Sequence, residues 1–327
     1  MKVIVTGGGG FLGFFIVKDL LKLGYEVTVL GRNHYPHVVE SGAKSAVADI
    51  RNLAQIEKCF HGIDEVYHVA AIADVWGDWE KFYSINFVGT KNIIEACFKH
   101  GVKRLIYTSS PSVVFDGVSQ RNLDESAPYP KRWLAHYPHS KMLAEKLVLE
   151  SNSKNLKTVA LRPHLIWGPG DPHIFPRLVD KAKKGQLSIV GNGDNLVDII
   201  YVENAARAHL QAAAALRTND KAAGKAYFLG QNEPVNLWDF IGKILAREKL
   251  PPIKRRLPFP WVYRIGVMME FFYKLLKIKQ EPPMTRFVAA QLGTDHYYSH
   301  ANARADFGYE AFISVEEGLN RIYGPQT

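Results

Sequence analysis

Short apolar runs alternate along this chain with longer segments in which apolar residues recur at helical spacing. The apolar runs predict strands at 2–6, 26–30, 44–47, 65–69, 104–108, 157–161 and 225–229. Several of them are apolar at every position, which is typical of a parallel sheet covered by helices on both faces. The alternation therefore predicts an α/β fold with a Rossmann-type doubly wound parallel sheet.

Beyond about residue 163 the pattern changes. Prolines and glycines become dense, and from Pro251 the chain is rich in aromatic residues and prolines. We expect a dinucleotide-binding domain and a smaller C-terminal substrate-binding lobe. The first is assigned to 1–165 with 197–230 returning to it, and the second to 166–196 and 231–327.

The stretch VTGGGGFLG at 5–13 joins the first predicted strand to a helix over 11–23. Glycine in an ordered segment costs conformational entropy, so four in succession indicate a tight turn or a close approach to a ligand. In this pattern one glycine makes the turn, one admits a pyrophosphate and one lets the helix pack close to the strand. These glycines are Gly7, Gly10 and Gly13. A helix N-terminus favours an anion, so we predict a bound dinucleotide.

The ends of the next strands refine the cofactor prediction. In NAD sites a carboxylate near the end of the second strand bonds the ribose, but this strand ends at Leu30-Gly31-Arg32-Asn33. Arg32 can pair with a 2′-phosphate, so we expect NADP(H), with NAD(H) as the alternative. Asp49 and Ile50 follow the third strand, near the adenine. Ala70 follows the fourth strand, where small side chains admit the cofactor.

Tyr137 and Lys141 are four residues apart, so they share one face of a predicted helix. An ammonium near a phenol favours the phenolate, so we expect a lowered pKa for Tyr137 and a role as general acid or base. Tyr273 and Lys277 have the same spacing. Only Tyr137 follows a strand-end cluster, Thr108-Ser109-Ser110, whose hydroxyls can bond a substrate oxygen. We therefore assign Tyr273 to packing.

Composition narrows the partners. The 327-residue chain carries a formal charge of +9, which favours anionic small molecules or an acidic membrane surface, because no nucleic-acid motif accompanies it. Its only cysteines, Cys59 and Cys97, suit a reducing compartment, and we expect the cytoplasm. A strand at residue 2 leaves no room for a signal peptide, and no apolar run reaches the roughly 18 residues of a membrane span. No metal is expected, because the histidines lack ligand spacing: His34, His37, His136, His139, His164 and His173.

Several stretches, taken in order, resemble the extended short-chain dehydrogenase/reductases. They are TGGGGFLG, DI at 49–50, NFVGTKNIIEAC from Asn86, YTSS from Tyr107, YPHSK at 137–141 and LRPHLIWGPGD from Leu161. Within that superfamily the chain is most similar to the 3β-hydroxysteroid dehydrogenase group, which includes sterol-4α-carboxylate 3-dehydrogenases and bacterial 2-alkyl-3-oxoalkanoate reductases. GNGDNLVDIIYVENAARAHLQA and HYYSHANARADFGYE carry this narrower similarity.

The resemblance implies roles for individual residues. Tyr137 is implied as the acid/base, Lys141 as the residue that holds the nicotinamide ribose, and Ser110 as the residue that orients the carbonyl. Ser109 is the alternative to Ser110, and Pro163 is implied to lie near the nicotinamide. The full set of expected cofactor-binding residues is Gly7, Gly10, Phe11, Leu12, Gly13, Arg32, Asp49, Ile50, Ala70, Tyr137, Lys141 and Pro163.

The stretch 257–278 reads LPFPWVYRIGVMMEFFYKLLKI. On a helical wheel, 261–278 shows a wide apolar stripe beside a narrow charged sector that includes Glu270. Such a stripe covers a ligand, rests on a membrane or packs in the core. We expect it to cover the substrate site, with Met268 and Phe272 in the lining, and to offer a contact for a membrane surface or a partner enzyme.

These observations predict an NADP(H)-dependent oxidoreductase that interconverts a ketone and a secondary alcohol on a hydrophobic substrate, of the 2-alkyl-3-oxo acid or 3-hydroxysteroid type. The alternative is a nucleotide-sugar epimerase or dehydratase of the same superfamily, whose pocket should be more polar and basic. A regulatory module without catalysis is disfavoured by the intact Ser110, Tyr137 and Lys141. The resemblance also implies a homodimer formed through the helices that carry Asn86 and Tyr137.

Overall fold

The computed structural model describes residues 1–172 and 174–325, and of Ile174 only the backbone; His173 lies outside this part. The strands are β1 (Lys2–Thr6), β2 (Glu26–Gly31), β3 (Lys44–Val47), β4 (Glu65–His68), β5 (Arg104–Thr108), β6 (Gln120–Leu123), β7 (Lys157–Pro163), β8 (Ile166–Trp167), β9 (Ile189–Val190), β10 (Leu196–Val197), β11 (Ile200–Tyr201), β12 (Lys225–Leu229), β13 (Val235–Asn236), β14 (Arg256–Leu257) and β15 (His296–Tyr298).

The helices are α1 (Phe11–Lys22), α2 (Pro36–Glu40), α3 (Leu53–Glu57), α4 (Trp79–Phe82), α5 (Gly89–His100), α6 (His136–Glu150), α7 (Ile174–Lys183), α8 (Val202–Thr218), α9 (Leu237–Arg247), α10 (Phe259–Leu275), α11 (Arg286–Gly293), α12 (Ala301–Phe307) and α13 (Val315–Tyr323). A π-helical turn, Tyr83–Val88, leads directly into α5, and a 3-10 turn, Pro111–Val114, follows β5.

Seven strands form one parallel sheet in the order β12-β7-β5-β4-β1-β2-β3. Every strand predicted from the apolar runs is present, and the ends differ by two residues at most, at the end of β7. The winding of the sheet reverses between β1 and β4, and doubly wound folds bind ligands at such a switch point. The predicted Rossmann-type α/β fold is confirmed.

Helices cover both faces of this sheet, which explains why β1 is apolar over 3–5 and β5 over 105–106. In β1, Val3 and Val5 pack on one side against α1 and α8, whereas Ile4 packs on the other side with residues of α3, α5 and α6. Side chains of a strand alternate between the two faces of the sheet. In a strand covered on both faces every side chain is therefore buried. The catalytic candidates lie where these strands end.

The later part of the chain builds smaller sheets beside the main one. A four-stranded sheet has the order β13-β10-β15-β6, and two strand pairs are formed by β11 with β8 and by β14 with β9. The strand at 225–229 does not belong to them, because β12 forms the edge of the main sheet beside β7. The division into a dinucleotide-binding domain and a substrate lobe stays a prediction.

Helix α10 differs from its sequence-based expectation. Its apolar stripe does not pack in the core: Met268 and Phe272 are 57% and 50% exposed, and neither lines a described cavity. The reason is that Gly266 and Glu270 form the inner face of the helix and are buried. The expectation that Met268 and Phe272 line the substrate site is therefore wrong.

Helix α1 lies closest to the sheet at Gly13. A Cβ atom placed there would lie 2.3 Å from the carbonyl oxygen of Gly7 and 2.8 Å from Cα of Gly8, so the backbone itself blocks any larger residue. This contact holds the helix N-terminus at the end of β1.

We expect Gly13→Ala to lower the free energy of unfolding by about 1–3 kcal/mol, because the overpacked contact is with backbone that cannot move away. Chemical denaturation measures it. Gly242→Ala in α9 is the matched control, because nothing lies within 4 Å of its added methyl group. That variant should be neutral or more stable by up to about 1 kcal/mol. Equal losses in both variants would contradict the close approach at Gly13.

Candidate active site

The glycine turn brings the N-terminus of α1, which has no side-chain cap, to the end of β1. Gly7 has φ +69°, and a Cβ atom there would lie 2.9 Å from the backbone of Ala70, so only glycine fits. Gly10 is the N-cap residue of α1, and the first turn of that helix contains no acidic residue. An unopposed helix N-terminus next to a bare turn is a favourable place for an anion such as a pyrophosphate.

An inner cavity of about 540 Å³ opens in front of this turn, at the carboxyl ends of the central strands. Every residue predicted for the site lines it. They are Gly7, Gly10, Phe11, Leu12, Gly13, Arg32, Asp49, Ile50, Ala70, Ser110, Tyr137, Lys141 and Pro163. The fold thus brings together residues spread over nearly half of the chain, while their individual roles stay predictions.

Tyr137 lies in the first turn of α6 and lines the inner cavity together with Ser110 and Ser112. Burial raises the pKa of Tyr137, and the hydroxyls of Ser110 and Ser112 act in the opposite direction. The expectation that Lys141 lowers this pKa is therefore not met, because burial outweighs the groups around the phenol. A raised pKa keeps the phenol protonated at neutral pH.

The ammonium of Lys141 is engaged elsewhere. Its Nζ donates to the carbonyl oxygen of Thr108 at 2.6 Å and lies 4.2 Å from the ring centre of Tyr107. Burial lowers the pKa of Lys141 to about 7, although Glu145 acts to raise it. A lysine that titrates near neutrality exchanges its proton more readily than an exposed one.

The serine cluster after β5 separates into two environments. Ser110 and Ser112 lie 2.9 Å apart between their Oγ atoms, and both line the inner cavity. Ser109 lines the same cavity, but it is 4% exposed and its Oγ has no hydrogen-bond partner among the described residues. The assignment of Ser110 rather than Ser109 stays a prediction. Ser112 was missed, because only the 3-10 turn that follows Ser110 brings it back toward Tyr137.

The other end of the cavity holds Arg32 and Asp49. Arg32 is exposed, whereas the carboxylate of Asp49 accepts bonds from Arg51 at 2.5–3.0 Å, which lowers the pKa of Asp49. Tyr35 was not predicted but lines the same end. Its ring lies so close to Gly9 that a Cβ there would be 2.4 Å away.

A series of buried hydrogen bonds connects β1 to α5 and to the π-helical turn before it. The ring of His68 bonds Thr6 Oγ1 at 2.7 Å and Thr90 Oγ1 at 2.9 Å, and Thr90 donates to the carbonyl oxygen of Asn86. Because Thr90 already donates its hydroxyl proton to Asn86, it can only accept from His68. Nε2 of His68 is therefore the donor, and Nδ1 accepts from the Thr6 hydroxyl. Burial lowers the pKa of His68 to about 3, which keeps the ring neutral.

The side chain of Asn86 extends this series of hydrogen bonds to helix α6. Its Oδ1 accepts from the backbone N–H of Ile72 at 2.9 Å, and its Nδ2 donates to Ser140 at 2.9 Å. Ser140 in turn donates to the carbonyl oxygen of Tyr137 at 2.9 Å. Asn86 therefore fixes the loop after β4 and the start of α6 relative to each other.

The far wall of the inner cavity comes from late segments of the chain. His164, Phe287 and Gln291 line it, and His164 bonds His296 through ring nitrogens 2.6 Å apart. Burial and the neighbouring His296 lower the pKa of His164, so both rings stay neutral. This wall was missed, because residues of α11 and β15 are more than a hundred positions from Tyr137. Within 1–172 and 174–325, no group of three or more His, Cys, Asp or Glu residues converges as a metal site would require.

An outer cavity of about 860 Å³ lies next to the inner one. The segments 72–75, 135–137 and 286–287 each contribute residues to both cavities, so the two are neighbours. The outer lining mixes aromatic side chains with charged ones. It contains Trp76, Trp79, Phe82, Trp133, Tyr273, Lys81, Lys274, Lys277, Lys279, Arg286, Asp74, Asp78, Glu270 and Glu281. Tyr273, assigned above to packing, thus forms part of this wall, where its ring lies 6.3 Å from that of Trp76.

Comparison with known proteins identifies the family. Residues 4–259 match the model of the 3-beta hydroxysteroid dehydrogenase/isomerase family. The chain belongs to this family. It is 44% identical over 326 residues to a 2-alkyl-3-oxoalkanoate reductase of Shewanella oneidensis, and the match covers 97% of this chain and 84% of that protein. It is 36% identical to the decarboxylating sterol-4-alpha-carboxylate 3-dehydrogenase of Mus musculus, and that match covers 98% of this chain and 89% of the dehydrogenase.

Solved structures agree at the level of the fold. The UDP-glucuronic acid 4-epimerase of Bacillus cereus, in complex with UDP-glucuronic acid and NAD, has a TM-score of 0.77 and 23% identity, covering 99% of this chain and 98% of the epimerase. The resemblance stated from the motifs is confirmed, and the protein is an NAD(P)-dependent oxidoreductase that acts on CH–OH groups.

Proposed function

We propose that this enzyme uses NADP(H) to interconvert a ketone and a secondary alcohol on a lipid-like oxo acid. The observation that carries the proposal is that Tyr137, Ser110 and Ser112 line the same cavity as the glycine turn. The substrate class is supported by the 44% identity to a protein named 2-alkyl-3-oxoalkanoate reductase. A 3-hydroxysteroid is the related alternative, supported by the sterol-4-alpha-carboxylate 3-dehydrogenase.

The residues present fit a dinucleotide. The turn at Gly7 can be formed only by glycine, and the N-terminus of α1 that follows it would hold the pyrophosphate. Arg32 would pair with a 2′-phosphate, since the end of β2 offers no carboxylate. Lys141 would hold the nicotinamide ribose, and Pro163 would lie beside the nicotinamide. The bound cofactor supplies or accepts a hydride.

Tyr137 would move the proton in this reaction. Its raised pKa keeps the phenol protonated, so it can donate to a ketone oxygen as negative charge develops there. Ser110 would bond the same oxygen and hold the carbonyl in place, and Ser112 would orient Ser110 through their 2.9 Å contact. Lys141, with a pKa near 7, would help to restore the proton of the phenol.

The outer cavity would receive the body of the substrate. From the sequence we expected a hydrophobic substrate and placed the apolar residues of 257–278 in the lining of its site. In the structure, the exposed apolar residues of α10 lie on the outer surface instead. Its lining combines three tryptophans and Lys274, Lys277 and Lys279 with four carboxylates. Three of these carboxylates are already paired with Lys81, Arg177 and Arg286, whereas the three lysines form no salt bridge among the described residues. This combination suits an amphipathic molecule with a carboxylate, because tryptophan contacts the chain and lysine the acid.

The same lysines suit the phosphates of a nucleotide sugar, so the epimerase or dehydratase alternative has to be tested directly. NADPH oxidation should be measured side by side with long-chain 2-alkyl-3-oxo acids, 3-oxosteroids and UDP-sugars. We expect turnover with the oxo acids and none with the UDP-sugars. Conversion of a UDP-sugar without net consumption of cofactor would overturn the proposal in favour of an epimerase.

We also propose a cytoplasmic homodimer that pairs through α5 and α6. Phe98 on α5 is 46% exposed, and such a pairing would cover it.

Tyr137→Phe should lower kcat by about 10² to 10⁴ while leaving cofactor binding nearly unchanged, because only the hydroxyl can transfer the proton. Steady-state kinetics and cofactor titration measure the two effects. Tyr273→Phe is the matched control, since Tyr273 has a lysine at the same spacing but lies in the outer cavity. Full activity in Tyr137→Phe, or inactivity in Tyr273→Phe, would show that the hydroxyl is assigned to the wrong residue.

Arg32→Asp should reverse or abolish the preference for NADPH over NADH, mainly through the KM for the cofactor, because the new carboxylate repels a 2′-phosphate and can bond a ribose hydroxyl. Lys58→Asp makes the same charge change at an exposed cation that does not line the cavity, and it should leave the preference intact. Equal efficiency of the unmutated enzyme with NADPH and NADH would argue against the assignment of Arg32.

A further inference from the structure

Helix α10 buries few of its apolar residues, unlike an ordinary surface helix. Its inner face packs on α11 through Gly266, where a Cβ would lie 2.8 Å from the backbone of Thr285, and through Glu270. Glu270 is 5% exposed, accepts the backbone N–H of Arg286 at 2.7 Å and forms an ion pair with its guanidinium at 2.8 Å. The side facing the protein therefore combines a small residue and a paired carboxylate with one buried apolar residue, Val262.

The outer face of the same helix is apolar and exposed. Trp261, Met268, Phe271 and Leu275 are each 57–63% exposed, and positions 261, 265, 268, 272 and 275 recur at the spacing of one helical face. The exposed apolar residues from this helix and its end are Trp261, Ile265, Val267, Met268, Phe271, Phe272, Leu275 and Leu276. A contiguous apolar patch on a single helix marks a surface that another apolar phase covers. We call these eight residues the α10 face.

Exposed basic residues surround the α10 face. They are Lys254, Arg255 and Arg256 before the helix, Arg264 in its second turn, and Lys274, Lys277 and Lys279 at and beyond its C-terminal end. Among the described residues none of them forms a salt bridge, whereas the one acidic residue of 254–280, Glu270, is already paired with Arg286. The surface around the apolar residues is therefore strongly positive.

We propose that the α10 face docks on a bilayer that contains anionic phospholipid. Lying in the interface with its apolar side down, the helix would bury its aromatic and aliphatic side chains while the flanking cations contact headgroups. The helix does not cross the membrane: within the described residues no helix is both long and apolar enough to span one. A second copy is a poorer occupant, because a two-fold contact brings the same cations against each other.

Docking in this way would place the outer cavity next to the membrane. The inner edge of α10 and the turn after it supply Tyr273, Lys274 and Ile278 to that cavity, and the indole N–H of Trp76 lies 3.5 Å from the carbonyl oxygen of Ile278. A lipid-like substrate would then reach the site without crossing water. This consequence rests on the proposed function, whereas the docking itself does not.

Flotation with vesicles tests the proposal. The full-length protein should float with vesicles of phosphatidylcholine that contain phosphatidylserine, and much less with phosphatidylcholine alone. Phe271→Ser with Leu275→Ser should abolish flotation. Neutralising Lys254, Arg255 and Arg264 to Gln should weaken binding to the anionic vesicles roughly 100-fold, since each cation near the surface contributes about fivefold.

Leu23→Ser with Val118→Ser is the matched control, because these residues are similarly exposed (58% and 60%) but lie outside the α10 face. This variant should float like the unmutated protein. All variants should retain cofactor binding, which separates a lost surface from a lost fold and from a wrong substrate assignment. Absence of flotation with the anionic vesicles would overturn the proposal. So would a homo-oligomer that Phe271→Ser and Leu275→Ser dissociate, which would make the face a protein interface.

Discussion

One chain of buried hydrogen bonds holds the two halves of the site in register. It runs from Thr6, at the end of β1, through His68 and Thr90 to Asn86. From Asn86 it continues through Ser140 to the start of helix α6. Each member has a committed donor and acceptor, and the burial of His68 keeps its ring neutral. An unmade bond inside such a network costs far more than a bond at the surface. The glycine turn and the start of α6 are therefore fixed relative to each other.

The same burial sets the acid–base character of the site. With little water available, the phenol of Tyr137 resists ionisation and the ammonium of Lys141 loses its proton more easily. Elsewhere in α6, buried Glu145 accepts two bonds from Arg162 at 2.6 and 2.9 Å, which ties the helix to β7. The two residues proposed for catalysis, whose pKa values are shifted, thus lie on a helix that is held at its start and again two turns later.

Helix α10 shows how tertiary packing reassigns a sequence pattern. Its wide apolar stripe is compatible with burial, with a substrate cover and with a membrane contact, because helical periodicity reports which residues share a face and not what that face meets. Contact with α11 selects Gly266 and Glu270 for the inside. The apolar side is thereby left to solvent, and the charged edge of the helix becomes the wall of the outer cavity.

The sequence by itself determined the strands, the Rossmann-type sheet, the glycine turn and the family, because these depend on local spacing and on motifs that remain in order along the chain. Only the tertiary structure decided that Ser112 joins Ser110 at Tyr137, and that α11 and His164 close the inner cavity. It also reversed the expected pKa shift of Tyr137. Contacts between distant segments and the exclusion of water are properties of the packed chain, and no local pattern of residues encodes them.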